Sequence, residues 1–173
     1  MLLRLLPLLL LLGASACSSA ADPCAAYDFP LDPVPASAAH ISCGNTCGNG
    51  LSPPTAGPLC AQTLACVAYE TPQNACNWVH NLEHGHLVLL YQCPEGCPEV
   101  VATLKQLAAE APAGLNGVRR ALVMPATGLA TRTAAVLWRR SLQAETPDVE
   151  ALRCFMKLQD EAGVVPEPGL GCL

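Results

Sequence analysis

The chain has 173 residues, 51% of them apolar and only 4% aromatic, with a formal charge of −5 and 11 cysteines. That length holds one domain with a real core and is short for two. The negative balance argues against nucleic acid or an anionic membrane surface as a partner, because both need basic patches.

The first residues, MLLRLLPLLLLLGASAC, carry one positive charge at Arg4, an apolar run from Leu5 to Leu12, and then small residues. This is the pattern of an export signal. The run is too short to cross a bilayer as a helix of about 20 residues, and residues 1–16 are read as a signal peptide. A cysteine directly after the small residues points to a lipoprotein, with Cys17 lipidated and the membrane engaged through that lipid. A cut after Ala14-Ser15-Ala16 is the competing reading. Setting Cys17 aside leaves ten cysteines, which in an oxidising extracytoplasmic compartment invite up to five disulfides, their pairing open. Residues 17–42 then read as lipid anchor and tether, rich in Ala, Pro and Asp, and residues 43–173 as the domain.

Residues 43–58, CGNTCGNGLSPPTAGP, are dense in Gly, Asn and Pro and predict turns held by cysteines. A first helix is predicted over 72–84, with Thr71 as N-cap, Pro72 in the first turn and Gly85 as the left-handed terminator. Ala75, Trp78, Val79 and Leu82 form its apolar stripe, so the spacing turns His80, Glu83 and His84 outward. HLVLLYQ suits a buried strand. A helix follows from Pro98, packed through Val100, Val101, Leu104 and Leu107. RRALVMP is a short strand, and TRTAAVLWRRSL reads as strand with helix left open. The last helix runs from Asp148 to Ala162, capped by Asp148 and ended by Gly163. The class is α+β, a single small disulfide-stapled domain with a β-α-β-β-α core and a cysteine-rich irregular amino-terminal part.

The stretch WVHNLEHGH gathers three of the four histidines and a glutamate. Two imidazoles at i and i+4 can ligate one Zn²⁺, with a nearby Glu as base or further ligand. His80 and His84 are the candidate ligands for copper or zinc, with Glu83 and His86 auxiliary and His40 a further source of a third ligand. The competing reading is a structural or interaction domain without catalysis, in which these histidines satisfy main-chain carbonyls at the helix end. A metal-dependent hydrolase on the H-x-x-E-H spacing is a third reading. Binding rather than catalysis is the expectation.

LVLLYQCPEGCPEVVATL places Cys93 and Cys97, each followed by Pro, between a strand and a helix. This piece resembles the copper site of the Sco-type copper chaperones, which implies two thiolates and a distant histidine on copper. Beyond it the chain does not follow the thioredoxin-like pattern. A disulfide involving Cys93 and Cys97, structural or redox, is the alternative.

Several landmarks line up in order: PPTAGP, then WVHNLEHGHLVLLY, TAAVLW, and PEPGLGC near the end. Together they resemble the bacterial domain-of-unknown-function family numbered 3105, whose pattern runs PPTSGPH, HNLEHG before an apolar strand, a Leu-x-x-Trp-type segment and a terminal PEPG with Cys. The resemblance covers Ser52 to Cys172. It implies an exported or membrane-anchored protein, and it implies no activity. By that match His80, Asn81, Glu83, His84 and Gly85 carry the central motif. One departure stands out: the last residue of PPTSGPH is His in the family and Leu59 here.

Overall fold

The computed structural model describes residues 22–172. The expected signal peptide, residues 1–16, and Cys17 lie outside the described residues. After a short 3-10 turn at Pro23–Ala26, the order is β1 (His40–Ile41), β2 (Leu59–Cys60), α1 (Ala75–Glu83), β3 (Leu87–Tyr91), α2 (Pro98–Glu110), β4 (Ala121–Pro125), β5 (Thr133–Leu137), β6 (Arg140–Ala144) and α3 (Val149–Met156). The class is α+β, as expected. The core holds one strand more than β-α-β-β-α, because the ambiguous segment is a hairpin, β5 and β6.

The main sheet has the order β4-β3-β5-β6, with β3 parallel to β4 and antiparallel to β5. Strand β6 closes the hairpin antiparallel to β5, with Leu137 opposite Arg140. Both faces of this sheet are covered, which is why its strands read as continuous apolar runs rather than alternating ones. On one face Val88, Leu90, Leu122, Met124, Ala134 and Val136 pack against Trp78, Val79 and Leu82 of α1. On the other, Leu87, Leu89, Val123 and Leu137 pack against Leu104 and Leu107 of α2 and Leu152, Phe155 and Met156 of α3. A loop at residues 126–132 joins β4 to β5.

Helix α1 is shorter than the predicted span. Asn74, not Thr71, is its N-cap, accepting from the Cys76 amide at 2.9 Å, and Pro72 precedes the helix. Helix α3 keeps its predicted cap: Asp148 accepts from the Glu150 and Ala151 amides, both at 3.0 Å. It stops at Met156 rather than Ala162, because Lys157, Leu158 and Gln159 donate three residues back and tighten the last turn. That tightening delivers Gln159 to the interior, where its Nε2 donates to the carbonyls of Gly85 and Arg120 at 3.0 and 2.9 Å.

All ten cysteines among the described residues are paired: Cys24–Cys154, Cys43–Cys60, Cys47–Cys76, Cys66–Cys172 and Cys93–Cys97. The spans differ greatly, at 130 and 106 residues for the Cys24 and Cys66 bridges and 4 for Cys93–Cys97. Loop-closure entropy makes the two long bridges worth about 5 kcal/mol each and the shortest only about 2. The amino-terminal segment, expected as a tether, is held down from Cys24 onward. Phe29 stacks edge-on against Phe155 with centroids 5.2 Å apart, and its carbonyl accepts from Arg140 Nε at 2.7 Å.

Gly85 terminates α1 at φ +76, and a Cβ there would meet the Gln159 carbonyl oxygen at 2.6 Å and Asp160 Oδ1 at 2.7 Å. Gly85→Ala adds left-handed strain to a clash with main chain, so it should lower stability by about 2–4 kcal/mol. Urea unfolding of the oxidised protein checks this; a loss below about 0.5 kcal/mol contradicts the close packing of the turn on residues 159–160.

Candidate metal centre at the end of helix α1

The polar side of α1 is not turned to water. His80 is 6% exposed and Glu83 7%, and Asn81 and His86 are fully buried. This overturns the outward presentation expected from helical spacing. The main-sheet face takes the apolar stripe, while β1, β2 and the tail at 164–172 cover the opposite side.

Asn81 does the anchoring. Its Oδ1 accepts from the Leu64 amide, and its Nδ2 donates to the Leu64 carbonyl, both at 2.9 Å, and faces His86 Nδ1 at 3.0 Å. His86 Nε2 lies 2.8 Å from the Leu170 carbonyl, which only accepts, so the proton sits on Nε2 and Nδ1 accepts from Asn81. Both ring nitrogens are therefore spent. Cys66 and Cys172 close around the same ring, with Cys172 Sγ 3.3 Å from Nδ1. His86, expected as an auxiliary ligand, thus stands apart as the pin between α1, the 64–66 loop and the tail.

The remaining histidines converge with two carboxylates. His40 Nε2 lies 3.6 Å from Glu83 Oε2, and His80 Nε2 lies 3.8 Å from the same oxygen. The His40 and His80 ring centroids are 4.7 Å apart, and those of His80 and His84 are 4.6 Å apart. His84 Nε2 is turned to Glu167 Oε2 at 3.2 Å. Ligand atoms of His40, His80 and Glu83 all fall within 4.8 Å of one another, and so do those of Glu83, His84 and Glu167. Glu83 belongs to both groups. His80 and His84, one turn apart, are brought together, but they face two adjacent points rather than one.

The positions of His40 and Glu167 follow from pairing and tail docking. Strand β1 runs parallel to β2 with His40 in register with Leu59. The imidazole therefore stands next to the position where the PPTSGPH pattern carries its own histidine. Glu167 belongs to the PEPG segment, and its amide donates to the Glu83 carbonyl at 3.0 Å. Sequence reasoning named His40 only as a source of a third ligand and missed Glu167. The PEPG landmark was the one signal that pointed to it.

Electrostatics suit a ligand site. Burial pushes the His80 and His84 rings below the ordinary histidine range, the neighbouring histidines adding to this for His80. Neutral imidazole is the form that ligates. Burial also raises the Glu83 carboxyl, as does Glu167, while His40 opposes both. His80 Nδ1 is buried without a hydrogen-bond partner. The Cys60 carbonyl lies close to that ring, where it favours a proton.

Cys93 and Cys97 lie elsewhere. They are bonded to each other past the carboxyl end of β3, whereas the histidines gather before its amino end. Five strand residues separate the two by about 17 Å. The Sco-type arrangement of two thiolates and a histidine on one ion is therefore not formed.

Residues 40–173 match the family described as Protein of unknown function (DUF3105), and the chain belongs to that family. No curated protein and no solved structure matches the chain. Its five disulfides indicate an oxidising, extracytoplasmic setting, and among the described residues no helix is long and apolar enough to cross a membrane.

Burial holds the His86 ring neutral down to about pH 4, against an ordinary value of 6.5; the Leu170 carbonyl and Asp160 pull upward, while His84 and Arg120 add to the lowering. The unfolded chain takes up that proton first, so the contribution is complete above pH 6.5 and shrinks as pH falls towards 4. His80 and His84 act in the same sense and Glu83 in the opposite one. Denaturant unfolding in chelator should show a loss of roughly 3 kcal/mol from His86 across that window. His86→Gln should flatten the slope; an unchanged slope in that variant contradicts the buried neutral ring.

Proposed function

We propose that this is an exported lipoprotein, anchored through Cys17, that binds a transition-metal ion through His40, His80 and Glu83. The observation that carries the reading is the approach of two imidazole Nε2 atoms to one glutamate oxygen, at 3.6 and 3.8 Å. A tetrahedral zinc ion with bonds of about 2.0–2.1 Å separates its ligand atoms by about 3.3–3.4 Å, so small side-chain shifts would suffice. Ligation at His80 Nε2 would put the ring proton on Nδ1, with the Cys60 carbonyl beside the ring to receive it. This would relieve a buried unpaired nitrogen, and such outer partners are what fix a ligating histidine.

Two imidazoles and a carboxylate suit zinc or copper(II). The soft copper(I) ion favours thiolates, and the paired cysteines offer none. His84 and Glu167 extend the site across the shared Glu83 carboxylate. The hydrolase spacing asks both His80 and His84 to hold one ion, and the turning of His84 to Glu167 favours holding over turnover.

Elemental analysis after loading with zinc or copper and desalting should find about one equivalent in the wild type, and at least tenfold weaker retention in His40→Ala and His80→Ala. Loading should raise the melting temperature of the wild type alone, since a ligand of the folded state at 100 times its Kd adds about 2.7 kcal/mol. Equal, negligible metal in wild type and variants would sink the proposal and leave the structural reading.

A further inference from the structure

The Cys93–Cys97 bridge differs from the other four in place and in span. It closes only 4 residues, so its opening removes the smallest constraint on the fold. It sits where β3 ends and α2 begins, opening the β-α-β unit that runs through α2 to β4. A cysteine pair at this point, beside the carboxyl ends of parallel strands, is where thiol–disulfide chemistry is favoured. The other bridges tie distant segments together and include buried Cys60, Cys76, Cys154 and Cys172.

The two sulfurs are not equivalent. Cys97 is buried and is the N-cap residue of α2, a helix of 13 residues, while Cys93 is half-buried. The cap has no side-chain hydrogen bond in the disulfide form, and Pro98 occupies the first helical position. A thiolate released at Cys97 therefore meets unpaired main-chain amides and the positive end of the helix. Glu95 and Glu99 are exposed and oppose this, whereas Lys105 and Arg132 border the two sides of the bridge. Beside the bridge lies a groove of about 520 Å³, with Tyr91, Val101 and Ala102 along it.

We propose that Cys93–Cys97 is a redox-active disulfide that accepts two electrons from a dithiol on an exported protein. The incoming thiolate attacks Cys93 Sγ, forming a mixed disulfide while the Cys93–Cys97 bond breaks and Cys97 leaves as thiolate. The second thiolate of the donor attacks the donor's first sulfur, the one bonded to Cys93, and Cys93 leaves as thiolate. The donor ends as a disulfide, this chain as a dithiol, and two protons pass from donor to protein or solvent. Stabilising the Cys97 thiolate stabilises the reduced form and makes the pair oxidising.

The test uses the oxidised protein in chelator, which separates it from metal binding, with dithiothreitol as the donor. Alkylation and peptide mass analysis should show Cys93 and Cys97 reduced at least about tenfold faster than any other pair, with the remaining four bridges intact. Cys97→Ser should trap a cysteine-containing peptide as a mixed disulfide at Cys93 when the peptide is supplied as its activated disulfide. Cys93→Ser/Cys97→Ser should stay folded by circular dichroism and consume no dithiol in the fast phase. A pair reduced no faster than the other four, or a fast phase that persists in the double variant, overturns the proposal.

Discussion

The buried carboxamide of Asn81 is the constraint on which the rest depends. A helix interior ordinarily hides apolar groups, and a fully buried amide is tolerated only when its donors and acceptor are met. Here the main chain of Leu64 takes two of those bonds and the His86 ring a third. The ring then reaches Leu170, so one side chain fixes the rotation of α1 against a loop and the tail. With that rotation set, His80 and Glu83 fall under β1 and β2, and the tail brings Glu167 to His84. The Cys66–Cys172 bridge ties that loop to that tail.

Strand β3 divides the molecule's chemistry. Before it lie the histidines and carboxylates, whose donors are nitrogen and oxygen; after it lies the short sulfur bridge. The separation matters because thiolates bind soft ions tightly and would compete for any metal held nearby. The two groups lie at opposite ends of that strand, and the four longer bridges cross-link the frame around both. A core poor in aromatic residues gains from such cross-links, which restrict the unfolded chain rather than add contacts.

Much of this was legible from the residues. The apolar stripe of α1, the continuous run of β3, Pro98 opening α2 and Asp148 capping α3 each reflect a local rule, although α1 begins at Ala75 rather than Pro72 and α3 ends at Met156 rather than Ala162. The hairpin was not legible, because its two-residue turn is Trp138-Arg139, without the Gly or Asn that marks such turns; Arg139 takes φ 59 regardless. Its main chain is held instead by Thr55 and Asp32. The site was half legible. His80, Glu83 and His84 share a helix, but helical spacing cannot reveal that irregular chain covers them. Nor can it reveal that a parallel pairing brings His40 to Leu59, or that a proline-rich tail returns Glu167.

Nitrogen-15 NMR of the imidazole rings during zinc titration tests the central claim most directly, because it reads each ring nitrogen separately. The account predicts that Nε2 of His40 and His80 move to the shifts of ligated nitrogen, while His86 keeps its Nε2 proton and its position. Rings that do not respond, or a response confined to His86, would contradict it.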